Sequence, residues 1–120
     1  MTSAPLVHGE LCYLQIPAAD VAATASFYEA VFGWKVELGY ASFEAPGMIG
    51  QFTTDRAPAG DGGILGWIHV ERIEAALALV REHGGEPLEE PYADGPVRTL
   101  ATVRDPGGNV IGVVEHRGGR

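Results

Sequence analysis

The sequence predicts an α+β fold in which a βαβββ module occurs twice, forming a curved, half-barrel mixed sheet with the helices outside. Each half of the chain contains a helical segment that ends at glycine, at Gly33 and at Gly84, with strand-like segments before and after it. The chain closes with a β-rich run, a Pro/Gly/Asn turn at residues 105–109 and a second β-rich run, which is typical of a hairpin. Internal repetition of this kind constrains the architecture more firmly than any single segment.

The composition favours one soluble globular domain that spans residues 1–120. The chain has 120 residues, 46% of them apolar, and a net charge of −8, which disfavours binding to nucleic acid phosphates. Cys12 is the single cysteine, which excludes an internal disulfide and a cysteine-based zinc site. Neither a signal-peptide pattern nor an apolar run of about 18 residues is present, so we expect a cytoplasmic protein without a membrane span.

The first strand is predicted at residues 10–16, where period two divides the side chains between two faces. The face that contains Cys12 and Leu14 is apolar and is expected to pack against a helix. The opposite face carries Tyr13 and Gln15, an aromatic and an amide, which suits the wall of a cavity.

The rest of the first module, which spans about residues 10–54, is predicted from helix-capping residues and from the alternation of apolar and polar side chains in its strands. Asp20 is a favourable N-cap for a helix that runs to about Phe32, where Gly33 ends it. The buried stripe of this helix is predicted at positions 21, 24/25, 28 and 31/32, and strands follow at about 34–38, 40–45 and 48–53. Residues 55–63 are polar and rich in proline and glycine, which indicates a linker.

The pattern then restarts in the second module, at about residues 64–116. A strand is predicted at 65–70, with Leu65, Trp67 and His69 on one face. A helix follows, with a predicted buried stripe, a short strand beginning at residue 86 and a loop at 89–96 that leads into the final hairpin. The stripe consists of Ile73, Ala76, Leu77 and Val80.

Several motifs resemble a known family. Residues 16–20 (IPAAD) and 27–34 (FYEAVFGW) resemble the first module of the vicinal-oxygen-chelate superfamily, which includes glyoxalase I, extradiol dioxygenases, and bleomycin- and fosfomycin-resistance proteins. Residues 75–85 are similar to its second helix and residues 105–112 (DPGGNVIG) to its closing hairpin. The resemblance covers residues 10–116 and implies paired βαβββ modules, usually assembled as a homodimer.

The resemblance also implies where a divalent metal would be held by His, Glu or Gln. The corresponding positions here are Tyr13, Leu65, Gly112 and one of Gly50 or Gln51. Tyrosine, leucine and glycine do not replace imidazole or carboxylate around such a cation. We therefore predict that the chain lacks the family's metal chemistry.

The candidate site residues each have two interpretations. His69 is either a wall histidine or a general base, since its titration range suits that work. Tyr13, Gln15 and Gln51 are either half-buried sheet residues or substrate contacts. Trp67 is expected to pack in the cavity wall, where aromatic rings also stack on flat ligands. The pairs His8/Glu10 and Glu115/His116 are alternative ligand pairs, although solvated strand ends explain them more simply.

Three functional hypotheses follow. The first is a metal-free protein that binds a small organic molecule between its modules, either to sequester it or to convert it, as a homodimer. The second is a lyase, isomerase or dioxygenase that uses a divalent metal such as Zn, Ni, Mn or Fe through displaced ligands such as His69 or His8/Glu10. The third is a dimeric interaction domain without a ligand. The sequence leaves open whether modules pair within one chain or between two.

Overall fold

The two modules follow one another in the computed structural model, which describes residue 8 and residues 10–59 and 62–117. The first module consists of β1 (Tyr13–Pro17), α1 (Val21–Phe32), β2 (Lys35–Glu37), a 3-10 turn (Leu38–Tyr40), β3 (Ser42–Ala45) and β4 (Met48–Thr53). The second consists of β5 (Trp67–His69), α2 (Ile73–Glu82), β6 (Glu86–Pro87), β7 (Tyr92–Asp94), β8 (Arg98–Arg104) and β9 (Val110–His116). Neither helix in this part of the chain is long and apolar enough to cross a membrane.

Each module forms its own mixed sheet. The first sheet has the order β1-β4-β3-β2, and the second has the order β5-β9-β8-β6, with β7 also paired to β8. The first strand of each module lies parallel to the last one, β1 beside β4 and β5 beside β9, whereas the other pairs are antiparallel. The sheets of four and five strands are not closed into a barrel, and the predicted α+β fold class is confirmed.

The two helices begin in different ways. The Asp20 carboxylate accepts a hydrogen bond from the Ala23 backbone N–H at 3.1 Å, as expected for a local N-cap, and Gly33 ends α1 with φ of 74°. Arg72 at the start of α2 makes no such bond. There the Ile73 N–H donates to Glu115 Oε1 of β9, at 2.8 Å. The second helix is therefore capped from a distant strand.

The core is continuous between the modules, because α1 and α2 pack on their own sheets and also contact each other. The predicted stripe of α2 is confirmed, since all four of its residues are buried. In α1 the stripe missed Phe27, which is fully buried. The reason is that α1 is covered on two sides: a Cβ on Gly85, just after α2, would lie 2.6 Å from Phe27 Cε1.

The hairpin turn at residues 105–109 joins the two modules. Asp105 is 3% exposed, and its carboxylate accepts hydrogen bonds from the backbone N–H groups of Gly107 and Asn109 at 2.9 and 2.8 Å. It also accepts from the Tyr28 hydroxyl of α1 and the Asn109 amide, both at 2.8 Å. The same amide donates to the Pro17 carbonyl at the end of β1, at 2.7 Å. Burial, then the charge and hydrogen bond of Asp105, hold the pKa of Tyr28 well above its ordinary value.

The structure corrects the expected position of Cys12. We predicted it on the helix-packed face of the first strand, but it is exposed. The strand begins only at Tyr13, so Cys12 precedes the ladder and lies beyond the part of the sheet that α1 covers. Even Leu14, on the helix side, is 42% exposed, because the covered part starts at Ile16.

Several element bounds also differ from the prediction. The expected strand at 40–45 divides into the 3-10 turn and β3, with Ala41 between them at φ of 53°. The expected loop at 89–96 contains β7, which pairs with the near half of β8. A strand of three or four residues is too short for its alternation of apolar and polar side chains to be recognised in the sequence. Its pairing also depends on a neighbouring strand, which the periodicity of the segment itself does not reveal.

Candidate functional site

The side of the first sheet that carries no helix is here called its open face. Because side chains alternate along a strand, Ile16 and Phe52 point to the core while Tyr13, Gln15 and Gln51 share the open face. The parallel register places Gln15 directly beside Gln51. The three polar candidates of the first module are therefore brought together.

A short chain of hydrogen bonds orders this face. The Tyr13 hydroxyl donates to Gln51 Oε1 at 3.2 Å, and Gln51 Nε2 donates to the Tyr40 carbonyl at 3.4 Å. Tyr40 ends the 3-10 turn and is largely exposed. These bonds leave the Tyr13 ring and the Gln51 amide plane in a fixed relative position on the sheet.

A surface hollow of about 470 Å³ lies over the first sheet. Its size is within the range of small-molecule sites, about 300–1,000 Å³. Polar and aromatic side chains of the open face and of the 3-10 turn line it, with one cation and two carboxylates among them. The lining includes Tyr13, Lys35, Glu37, Tyr40, Glu44 and Gln51, together with the aliphatic Ile49.

The open face of the second sheet carries Trp67 and His69. In the parallel register, Trp67 lies beside Gly112 and His69 beside Val114. His69 is exposed, and Trp67 is 41% exposed although it is a large apolar side chain in a strand. The two remaining candidates are thus adjacent to each other, but in the other sheet from Tyr13, Gln15 and Gln51.

Trp67 lies flat on Gly112. A Cβ built on Gly112 would lie 2.2, 2.4 and 2.6 Å from the indole atoms Cε3, Cδ2 and Cζ3. Three neighbouring ring atoms at such similar distances place that point above the face of the ring, because a point beyond the ring's edge would lie much farther from the two flanking atoms. The indole therefore occupies the space that a side chain at position 112 would need.

A second hollow, of about 410 Å³, lies over the second sheet, and Trp67 itself is not among its lining residues. It is lined by Leu65, two residues before Trp67, and by Thr102, which lies opposite Gly112 in the antiparallel register. Glu89 reaches across to Thr102: its Oε1 accepts from the Thr102 hydroxyl at 2.7 Å and its Oε2 from the Thr102 N–H at 3.2 Å. A fixed carboxylate consequently lies at the edge of the hollow, and Arg104 and Val110 complete this part of its lining.

The residues at the implied metal positions do not fit a divalent cation. Gly112 has no donor atom and lies under the indole of Trp67, and Leu65 has no donor atom either. Tyr13 and Gln51 are the neutral partners of one hydrogen bond. Among residues 8, 10–59 and 62–117, no group of three or more His, Cys, Asp or Glu side chains is arranged to hold a metal.

The alternative ligand pairs have different surroundings. Glu115 caps α2, and this hydrogen bond from Ile73, with smaller contributions from Arg117 and Arg72, lowers the pKa of its carboxyl despite partial burial. Its oxygens are thus committed to the helix and to Arg117 Nε, at 3.2 Å. The neighbouring His116 is half-buried. At the other end of the chain, His8 and Glu10 are both exposed.

Sequence reasoning missed Tyr40, Ile49, Thr102 and Glu89 as lining residues. Ile49 could have been found, because it lies two residues before Gln51 and so shares its face of β4, a strand whose bounds were predicted as observed. Tyr40 reaches the site through a 3-10 turn, which leaves no periodic signal. The Glu89–Thr102 contact joins a segment predicted as loop to a strand, so only the tertiary structure reveals it.

Comparison with known proteins shows the family of this chain. Residues 10–113 match the family model "Glyoxalase/Bleomycin resistance protein/Dioxygenase superfamily". A glyoxylase-like domain-containing protein of Didymella fabae is 26% identical, over 76% of this chain and 80% of its own length.

Solved structures agree with the fold. A glyoxalase/bleomycin resistance protein/dioxygenase family enzyme from Burkholderia phytofirmans PsJN superposes with a TM-score of 0.72 at 16% identity, covering 87% of this chain and 96% of its own. A glyoxalase/bleomycin resistance protein from Albidiferax ferrireducens T118 gives 0.69 at 22% identity, covering 88% and 98%. At these identities the likeness concerns the fold alone.

Proposed function

We propose that this chain, which belongs to the glyoxalase/bleomycin resistance protein/dioxygenase superfamily, binds a small organic molecule on the open faces of its sheets without using a metal. Its role is to sequester that molecule or to convert it by a metal-independent route. Each open face offers a hollow large enough for a small ligand. The first hollow has aromatic and amide side chains in its lining, and the second has apolar, hydroxyl and charged ones, with Trp67 exposed on the same sheet.

The observation that carries this proposal is the stacking of Trp67 on Gly112. The family resemblance gives position 112 to a metal ligand, but here that position has no side chain and the indole covers it. A cation held nearby would lose one of its few protein ligands and would lie against an apolar ring. The same arrangement gives the site an aromatic surface, which favours an organic ligand over a metal ion.

We further propose that the protein is a homodimer in which an open face of one copy is opposed to an open face of the other. Each hollow takes its lining from a single module, so one chain offers two half-sites that remain open to solvent. β1 and β5 are both edge strands, and large apolar side chains near them are exposed, among them Leu11, Leu14 and Leu65. Unpaired strand edges and exposed apolar side chains favour association with another chain.

Metal content and ligand binding test the function. The purified protein is dialysed, its metals are measured by elemental analysis, and a library of small organic molecules is screened by thermal shift, since a ligand that binds only the native state raises its apparent stability. We expect less than stoichiometric metal and at least one stabilising organic ligand. One tightly held divalent ion per site, with activity that depends on it and on His69, would instead support a metal-dependent lyase, isomerase or dioxygenase.

Sedimentation analysis tests the dimer. A dimer is expected for the natural sequence, and Ile49→Glu, at an exposed apolar residue on the open face of the first sheet, should shift it towards monomer. Val97→Glu, at an exposed apolar residue in the turn between β7 and β8, at the end of the strand order away from β5, is the control and should leave the dimer intact. A monomeric natural protein, or equal effects of both variants, would contradict the proposed arrangement.

A further inference from the structure

The open face of the second sheet has an ordered row of side chains across its strands. Trp67 of β5 lies beside Gly112 of β9, and Gly112 lies opposite Thr102 of β8, with the Glu89 carboxylate bonded to Thr102. Since neighbouring strands are about 4.8 Å apart, the row extends across about 10 Å from the indole to the hydroxyl. Along this distance, which is the length of a two- or three-ring molecule, the surface is first aromatic at Trp67, then bare backbone at Gly112, and then polar at Thr102.

The indole in this row is held so that it presents a face. One side of the ring is against Gly112, as the three similar distances to its neighbouring atoms require, so the 41% exposure of Trp67 comes from the other side and the ring edges. A ring with one face fixed on a strand loses little freedom when a ligand stacks on the other face. Trp34 provides the contrast, because it is buried and stacked between Tyr28 and Phe43.

We infer that Trp67 on Gly112 is a stacking platform for a flat aromatic or heteroaromatic ligand whose polar edge points to Thr102 and Glu89. Flat π systems gain from offset stacking on an indole, and saturated rings of the same size do not. The hollow of about 410 Å³, which Thr102 and Glu89 help to line, receives the part of the ligand that extends past the polar end of the row. This inference rests on the proposed function and names the class of molecule that the second sheet takes.

Glycine at position 112 is part of the platform. With alanine there, the added Cβ would overlap the indole at 2.2 Å, so the ring would have to leave the strand. Gly112→Ala therefore keeps the tryptophan in the protein but removes its fixed orientation. The substitution therefore distinguishes two roles of Trp67. If the indole only adds apolar surface, binding should be unchanged in Gly112→Ala, whereas binding that needs the fixed orientation of the ring should be lost.

Fluorescence titration and calorimetry test the inference with defined probes. Proflavine is a flat cation, anthracene-2-carboxylate is a flat anion, and 1-adamantylamine is a saturated cation. We expect at least one flat probe to bind and to quench the exposed tryptophan, while 1-adamantylamine binds about tenfold more weakly or not at all. Trp67→Leu and Gly112→Ala should each weaken the flat probe by about tenfold or more, as expected when one aromatic stacking contact is lost.

The matched control is Tyr92→Leu, which removes another exposed aromatic side chain from the same sheet. It should leave the affinity unchanged, and circular dichroism should show that all three variants are folded. If 1-adamantylamine binds as tightly as the flat probes, if neither flat probe binds, or if Trp67→Leu and Gly112→Ala bind like the natural protein, the inference is overturned. Should the thermal-shift screen then still find a ligand, the proposed function survives without the platform; should it find none, both fail.

Discussion

The two halves of the chain repeat one order of elements but are stabilised differently. In the first half the helix is capped locally, by the Asp20 carboxylate, which accepts from the Ala23 N–H. In the second half the Ile73 N–H donates to Glu115, a strand residue 42 positions further along the chain. The cores differ as well. The core of the first module is built mainly from aromatic rings, and that of the second from aliphatic side chains. The buried rings of the first are Phe27, Tyr28, Trp34, Phe43 and Phe52, and the buried aliphatic residues of the second include Ile73, Leu77, Val80, Val103 and Val113.

The same contrast appears at the glycine in the last strand of each module. Gly50 of β4 faces the core, where an added Cβ would lie 2.1 Å from the Leu14 carbonyl oxygen and 2.3 Å from Phe43 Cζ. Gly112 of β9 faces outward, beneath Trp67. In both modules a missing side chain lets an aromatic ring lie against a strand. In the first module that ring belongs to the hydrophobic core, and in the second it belongs to the open face.

This difference shows that glycines on opposite faces of corresponding strands can serve different purposes. In the first module the glycine allows close packing and contributes to stability. In the second it supports a ring that is 41% exposed, which should add less to stability than a buried ring does. The consequences of substitution should therefore differ in kind between the two halves.

The largest expected effect is that of Gly50→Ala. Its Cβ would overlap a backbone oxygen, which cannot move without shifting β1, as well as a buried ring, so we expect a loss of about 3 kcal/mol in the free energy of unfolding. Gly112→Ala is the matched variant and should cost less than about 1 kcal/mol, because Trp67 can turn towards solvent. Urea unfolding monitored by circular dichroism measures both. Equal losses for the two variants would show that the outward glycine is structural too.

Much of the fold could be predicted because its signals are local. The Asp20 cap, the glycine ends, the α2 stripe and the hairpin at 105–109 depend on residues close in sequence, and the structure confirms them. Glu115 as a helix cap and Glu89 as the partner of Thr102 could not be predicted, because each joins segments through tertiary contact. For the same reason the sequence placed all five candidate site residues in one cavity, while the structure divides them between two sheets.

An intermediate effect is expected at the contact that links the halves. Tyr28→Phe removes the hydroxyl that donates to Asp105 at 2.8 Å and leaves a buried carboxylate with one donor fewer. Loss of a hydrogen bond to a buried charged group costs about 2 kcal/mol. Urea unfolding near neutral pH measures this loss. Tyr92→Phe, at an exposed tyrosine, is the control and should be neutral.

The contribution of Tyr28 should also depend on pH. Its pKa in the folded protein is raised well above the ordinary value of 10.0, mainly by burial and then by Asp105. A raised pKa means that the stabilisation is complete below the unfolded value and is lost as pH rises from there towards the folded value. The difference between the natural protein and Tyr28→Phe should therefore be constant up to about pH 9 and narrow above about pH 10. A difference that stays constant across this range would show that the hydroxyl's protonation is not linked to folding.

The smallest expected effect is at the distant cap of α2. Glu115→Gln keeps an oxygen that can accept from Ile73 but removes the negative charge at the helix N-terminus, which costs about 0.5–1 kcal/mol. The pKa of Glu115 is lowered from 4.5, chiefly by that hydrogen bond, so its stabilisation is present above the unfolded value and is lost as pH falls through the folded one. The variant should thus match the natural protein in strong acid and be less stable at neutral pH. Glu82→Gln, at an exposed residue late in the same helix, is the control and should show no such loss. If both variants behave alike, α2 does not depend on Glu115, and the two halves do not differ in how their helices begin.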